Sequence, residues 1–276
     1  VKIAYLGPAG TFTEDALGEA GGGEFEPLLT ATIHEAILAV ERGDAERAFV
    51  PIENSIEGSV RETLDALAFD VEAVAIVGEH DFAVRAHLVA RQAIPLERVE
   101  RVLSHPQPLA QCAHFLRERL PAAERESVAS TAAAVRMVAE SVEPWAAIGA
   151  RSAAQLYGCS ILAEGIEGGD ENVTRFVWIA PVKTPVESGE SWKTSLVFSE
   201  LGEDHPGALV EALSEFSSRA VNLSRIESRP LRQGLGRYMF FCDLEGSADE
   251  EAVSAAIAAL RKKAESVRIL GSYPVR

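Results

Sequence analysis

Strand-length apolar runs and helix-period patterns alternate along residues 3–179, and this alternation restricts the possible folds more than any other feature. Residues 3–6, 48–50, 101–104, 146–148 and 173–179 read as strands, and 71–77 and 82–89 as two more that are expected to pair. Helices fall between them. Thr11-Phe12-Thr13-Glu14, Thr32-Ile33-His34-Glu35 and Ser59-Val60-Arg61-Glu62 each have the S/T-x-x-E form of a capping box. Gly43 suits the end of the second helix, and the third is expected to run to Phe69. Further helices are expected at 108–120, 131–140 and 152–157. Strands separated by helices in this way build an α/β domain with a largely parallel sheet. The order changes after residues 181–191, a stretch rich in Pro, Ser and charge without helical or strand period. Strands at 194–198, 223–228, 237–244 and 267–273, with helices at 206–218 and 248–263, give β-α-β-β-α-β, the ferredoxin-like order.

Charge and cysteine usage narrow the function classes. The chain carries 26 basic and 42 acidic residues, a net charge of −16, which argues against nucleic acid as a partner. Residues 1–180 hold 14 basic and 28 acidic side chains, so an anionic ligand there needs local donors working against the general field. No apolar run approaches the ~18 residues of a membrane span. The opening run Val1-Lys2-Ile3-Ala4-Tyr5-Leu6 has no signal-peptide pattern, so a cytoplasmic location is expected. Cys112, Cys159 and Cys242 lie far apart with no C-x-x-C pair and are expected to be reduced, and no histidine spacing suggests a metal.

Four clusters sit where strands end. Gly7-Pro8-Ala9-Gly10-Thr11-Phe12-Thr13 joins a strand to a helix start, where free amides can receive a carboxylate or phosphate; an ordinary capped turn is the other reading. Pro51-Ile52-Glu53-Asn54-Ser55 follows a second strand and offers donors from Asn54 and Ser55, with Glu53 either an acceptor or a solvated turn residue. Ser104-His105-Pro106-Gln107 follows a third, its imidazole either structural or chemical. Asn172-Val173-Thr174-Arg175-Phe176 enters the last strand. Alternation puts Asn172, Thr174 and Phe176 on one face and Arg175 on the other. These patterns describe a cofactor-free α/β domain with donor-bearing strand ends and do not name a substrate.

In order, these motifs resemble prephenate dehydratase with a carboxy-terminal regulatory domain of the ACT type. The same resemblance covers Gln111-Cys112, Thr131-Ala132, Ala147-Ile148, Ala153-Ala154, Leu156-Tyr157-Gly158, Gly207-Ala208-Leu209-Val210 and Glu227-Ser228-Arg229-Pro230. It implies a two-lobed catalytic domain like the periplasmic binding proteins at residues 1–181, with lobes near 1–76 plus 157–181 and 77–156. A linker at 182–192 and an ACT domain at 193–276 follow. It implies decarboxylating dehydration of prephenate to phenylpyruvate, no cofactor and no metal, L-phenylalanine as effector, and a homodimer or homotetramer. Thr174 is the implied catalytic residue. Thr11, Asn54, Ser55, Ser104, His105, Gln107, Thr131, Asn172, Arg175 and Phe176 are the implied substrate contacts, with Arg175 open to a bracing role and Phe176 to packing. Gly207, Ala208, Leu209, Asn222, Glu227 and Ser228 are the implied effector contacts. Ala150 stands where the family commonly has Ser or Thr, so any hydroxyl contact to substrate from that position is absent, and a neighbour has to replace it or affinity falls. Arogenate dehydratase, a non-catalytic amino-acid sensor and a dimerising scaffold are the rival readings.

Overall fold

The computed structural model describes residues 1–21, 23–168, 172–186, 188–201 and 205–275; Glu187 of the expected linker lies outside them. The chain starts with β1 (Lys2–Leu6), α1 (Phe12–Glu19), β2 (Glu26–Thr30), α2 (Ile33–Glu41), β3 (Arg47–Asn54), β4 (Gly58–Ser59), α3 (Arg61–Asp65) and β5 (Val74–Ala83). It continues with β6 (His87–Ala90), β7 (Arg101–Ser104), α4 (Pro106–Gln111), α5 (Ala113–Arg119), β8 (Glu124–Ser127), α6 (Thr131–Glu140), β9 (Trp145–Gly149), α7 (Arg151–Leu156), β10 (Ser160–Ala163) and β11 (Val173–Pro181). The last elements are β12 (Ser191–Leu201), α8 (Ala208–Ser217), β13 (Leu223–Pro230), β14 (Tyr238–Glu245), α9 (Glu251–Leu260) and β15 (Ala264–Val275). Packing groups them into two compact units, Val1–Leu64 with His80–Phe176, and Asp65–Glu79 with Val177–Arg276.

The helix starts show how far local signals reach. Thr32 caps α2 as expected: its hydroxyl accepts from Glu35 N at 3.0 Å, and the Glu35 carboxylate accepts from Ala31 N at 3.0 Å. At α1 only half of the box forms. Glu14 accepts from Gly10 N at 2.6 Å, while Thr11 makes no side-chain cap. Ser59 lies in β4 opposite Glu53, and the helix after it gives way to a π-helical turn over Ala66–Asp70. The helix expected over 108–120 is two helices that break at Cys112.

Two sheets are built before the linker. One has the order β2-β1-β3-β11-β5, with β4 on β3; β1 runs parallel to β2 and β3. The other has the order β10-β6-β9-β7-β8. It is mixed, because β7 is parallel to β8 and β9 while β6 is antiparallel to β9 and β10. The expected pairing of 71–77 with 82–89 is therefore wrong. The polar crossing around Arg85 carries the chain from the first sheet to the second, so β5 and β6 pair elsewhere. The chain crosses from the first sheet to the second at 84–86 and returns before β11, so β5 lies in the first sheet and β10 in the second.

The second unit contains the expected β-α-β-β-α-β order as a four-stranded antiparallel sheet, β13-β14-β12-β15. Leu196, Phe198, Phe216, Leu244, Ile257 and Leu260 are buried between the sheet and its helices. Residues 65–79 pack here too. Lys193 Nζ sits 2.6 and 2.7 Å from the two Glu79 oxygens, with both side chains over nine-tenths buried. Arg229 meets Asp65 through two bonds of 2.8 and 2.7 Å, and Arg232 adds a third at 2.6 Å while lying over the Phe69 ring. At Gly271 β15 passes so close to the Ile76 main chain that no Cβ fits. All three cysteines are free; burial pushes the Cys112 and Cys242 thiols up to about 12.

Candidate active site

The end of β3 and the start of β11 bring three polar side chains together. Asn54 Nδ2 donates to Asn172 Oδ1 at 2.7 Å and to Thr174 Oγ1 at 2.8 Å. Asn54 Oδ1 accepts from the amides of Ile56 and Glu57 at 3.0 and 2.9 Å. An asparagine amide has two N–H donors and two acceptor lone pairs, so all of its capacity is engaged. The two backbone donors also fix which end of the amide is oxygen. Thr174 receives a hydrogen bond on Oγ1, which leaves its own O–H free to donate elsewhere. Asn172 and Thr174 are 8% and 9% exposed, so these bonds lie largely out of water.

The strands around this cluster are held firmly. Ser55 N donates to Val173 O at 2.8 Å and Val173 N to Ser55 Oγ at 3.0 Å, which ties the β3 corner to β11. On the opposite face, Arg175 grips both Asp81 oxygens at 2.8 and 2.9 Å and lies 3.5 Å from Glu53. The guanidinium is thus paired with carboxylates on this face of β11. Phe176 is buried, stacked on Phe49 at 4.8 Å with Phe82 edge-on at 6.4 Å.

The remaining expected contacts are spread over other strand ends. Ser104 is fully buried and donates to Ile148 O at 2.8 Å. His105 caps α4, its Nδ1 accepting from Gln107 N at 3.4 Å, and the Gln107 side chain is exposed. Thr131 opens α6, beside the Ser130 cap. Among the described residues none of these four bonds to Asn54, Asn172 or Thr174. Thr11 has a buried Oγ1 without a partner among the described residues, and its carbonyl accepts from Ser152 Oγ at 3.2 Å.

That last bond belongs to a clasp between α1 and α7 that the sequence did not reveal. Ala150 is the N-cap of α7 and has no hydroxyl; Asp15 of α1 fills the role, accepting from Arg151 N at 3.1 Å and Ser152 N at 2.9 Å. Gly10 allows the approach: its φ is +81°, and a Cβ there would meet Ala153 Cα at 2.9 Å. Beside the clasp a cavity of about 610 Å³ is lined by Asp15, Phe82, Arg85, His87, Arg151 and Glu164, among others.

The sequence profile of the prephenate dehydratase family matches residues 3–184, two thirds of the chain and every residue of this cluster. The chain belongs to that family. An ACT domain profile matches residues 200–262. The bifunctional chorismate mutase/prephenate dehydratase of Aquifex aeolicus is 40% identical over 99% of this chain and 74% of its own length. The arogenate dehydratase/prephenate dehydratase 2 of Arabidopsis thaliana is 39% identical over all of this chain and 73% of that protein. A crystal structure of the prephenate dehydratase of Arthrobacter aurescens in complex with L-Phe superimposes with a TM-score of 0.90 at 40% identity, covering 99% of this chain and 90% of that one.

In this chain's ACT domain Gly207 caps α8 in a left-handed conformation, and Ala208 and Leu209 line a cavity of about 390 Å³ with Leu231, Leu235, Tyr238 and Phe240 among its walls. Asn222 donates to Glu245 at 2.8 Å, and Glu227 accepts from Arg225 at 3.0 Å. These two and Ser228 belong to the edge strand β13 and its approach; they do not line that cavity.

Proposed function

We propose that this protein converts prephenate to phenylpyruvate, carbon dioxide and water, and that L-phenylalanine bound to its ACT domain regulates the reaction. The observation that carries the catalytic reading is the bond from Asn54 to Thr174 Oγ1. It turns the threonine proton outward, toward whatever oxygen lies beside it. In prephenate that oxygen is the ring hydroxyl, on the carbon opposite the ring carboxylate. As the bond to the carboxylate breaks, its electron pair enters the ring and expels the hydroxyl, and aromatisation drives the step. One proton has to reach the departing oxygen. A threonine is too weak an acid to surrender its own at neutral pH, so Thr174 polarises the leaving group and relays a proton from solvent.

Thr11, Ser55 and Asn172 are the neutral groups that orient the substrate in this reading, and Arg175 is a brace. The substrate is a dianion in a portion of chain that is net negative, so hydroxyls and amides have to hold its carboxylates. A regulatory effector fits the L-Phe complex of the Arthrobacter aurescens relative. Gly207, Ala208 and Leu209, with Asn222, Glu227 and Ser228 supplied by a second copy, form the effector site we propose, in at least a homodimer.

Phenylpyruvate formation from prephenate, followed by absorbance with and without L-phenylalanine, tests both parts. Thr174→Ala is expected to lower kcat about 10²-fold or more, with KM changed less. An alanine variant with wild-type turnover would remove Thr174 from the mechanism. The Arabidopsis thaliana relative's name includes arogenate dehydratase. A parallel assay with arogenate decides between the two substrates, which share the reacting ring.

A further inference from the structure

With Ala150 at its N-cap, α7 has no side-chain cap of its own, and the cap comes from another helix. Asp15 Oδ1 accepts from Ser152 N at 2.9 Å and Oδ2 from Arg151 N at 3.1 Å. A serine or threonine at position 150 would make this kind of bond from within α7. Supplied by α1, the cap is also a tie. Ser152 is held a second time, because its hydroxyl donates to Thr11 O at 3.2 Å. Asp15 lies four residues after Thr11, the N-cap of α1, so the two share one face of the helix a turn apart. A single bond would leave a pivot. Two bonds a turn apart fix rotation as well as distance, and Gly10 against Ala153 sets how closely the helices approach. α1 follows β1 of the first sheet, and α7 follows β9 of the second. The tie therefore joins the starts of two helices that leave different sheets.

We propose that Asp15 is a positioning residue for the reaction: by tying α7 to α1 it holds Thr11 where its hydroxyl meets the substrate. This rests on the dehydratase reading above, in which Thr11 orients prephenate. A threonine at an N-cap ordinarily turns its hydroxyl back onto an amide of the first turn. Thr11 does not. The Glu14 and Asp15 amides donate to its carbonyl at 3.0 and 3.3 Å, and Oγ1 is enclosed without a partner among the described residues. An enclosed hydroxyl without a bond is unfavourable to retain, and a ligand oxygen beside it completes it. The same residue's carbonyl carries the Ser152 bond, so the place of Thr11 depends on where α7 is held. Both Asp15 oxygens are occupied by α7 amides, so Asp15 acts through Ser152 and Thr11 and not by contact. Displacing an orienting group by about 1 Å can cost about 10²-fold in rate, which is why a tie away from the reacting atoms matters.

The test is steady-state turnover of prephenate, with melting temperatures, for Asp15→Ala made in three backgrounds: wild type, Ala150→Ser and Thr11→Val. In wild type, kcat/KM is expected to fall about tenfold or more, and the melting temperature to drop. Ala150→Ser gives α7 its own cap. In that background Asp15→Ala should hardly change the melting temperature, while kcat/KM still falls about tenfold. Thr11→Val removes the hydroxyl and keeps the shape. There Asp15→Ala should lower kcat/KM by less than about threefold, because residues that act as one unit are not additive. If Asp15→Ala does not fold in wild type, the Ala150→Ser background decides. An unchanged kcat/KM on Asp15→Ala in that background would reduce Asp15 to a helix cap and overturn the proposal. A full tenfold loss on top of Thr11→Val would overturn it as well. A wild type that does not turn over prephenate would instead remove the dehydratase reading, and the positioning role with it.

Discussion

Asn54 shows what a single side chain decides here. Asn54→Asp keeps the acceptor for the Ile56 and Glu57 amides but removes the donor to Thr174 and Asn172. The Thr174 proton can then turn back to the new carboxylate instead of facing the substrate. We expect kcat to fall about 10²-fold, with an unchanged far-UV circular dichroism spectrum and melting temperature as the control. The residue types of this cluster were legible in the sequence, because motif order put Asn54, Asn172 and Thr174 at strand ends. Their polarity was not. It depends on two amides three residues or fewer from Asn54, and it decides which end of Asn172 faces Gln111, 61 positions away. Ser104 looked equally available in the sequence, but its hydroxyl is committed to Ile148 O, 44 residues downstream.

At the level of elements, the sequence was read best where hydrophobic period and capping agreed, as at α2. It was read worst at β2 and β8. Their exposed, charged or proline-bearing stretches, EPLLT and ERES, lie at sheet edges and show no apolar alternation. Charge between elements was equally hidden. His87 on β6 is buried, and facing charges come from α7 (Arg151), α1 (Asp15) and the segment after β10 (Glu164 and Glu167). Burial first, and Arg151 second, hold its pKa below the usual histidine value of 6.5, while the three carboxylates oppose them. The folded state therefore binds a proton less readily than the unfolded one. Stability from this site is complete above the unfolded value and is lost as pH falls through it toward the lower folded pKa. Urea midpoints measured from pH 8 to pH 5 should decline for wild type and decline less for His87→Gln; parallel curves would show that His87 does not contribute.

Across the whole molecule, the Lys193–Glu79 pair is an ion pair whose charges are almost completely removed from water. Lys193→Ala leaves a carboxylate buried without its cation and is expected to lose about 3–5 kcal/mol of unfolding free energy, whereas the double variant Lys193→Met with Glu79→Gln should lose much less. Urea denaturation of both variants checks this, and equal losses would mean that the pair is not coupled. The family profile runs unbroken from residue 3 to residue 184, yet residues 65–79 pack with Val177–Arg276. The order of modules along the chain therefore differs from the way the pieces are grouped in space. Exchanging regulatory halves between relatives at the 181–191 stretch would transplant Lys193, Arg229 and Gly271 without the Glu79, Asp65 and Ile76 they were fitted to. A working chimaera has to be spliced at three points, so that the short inner segment travels with the distant half it belongs to.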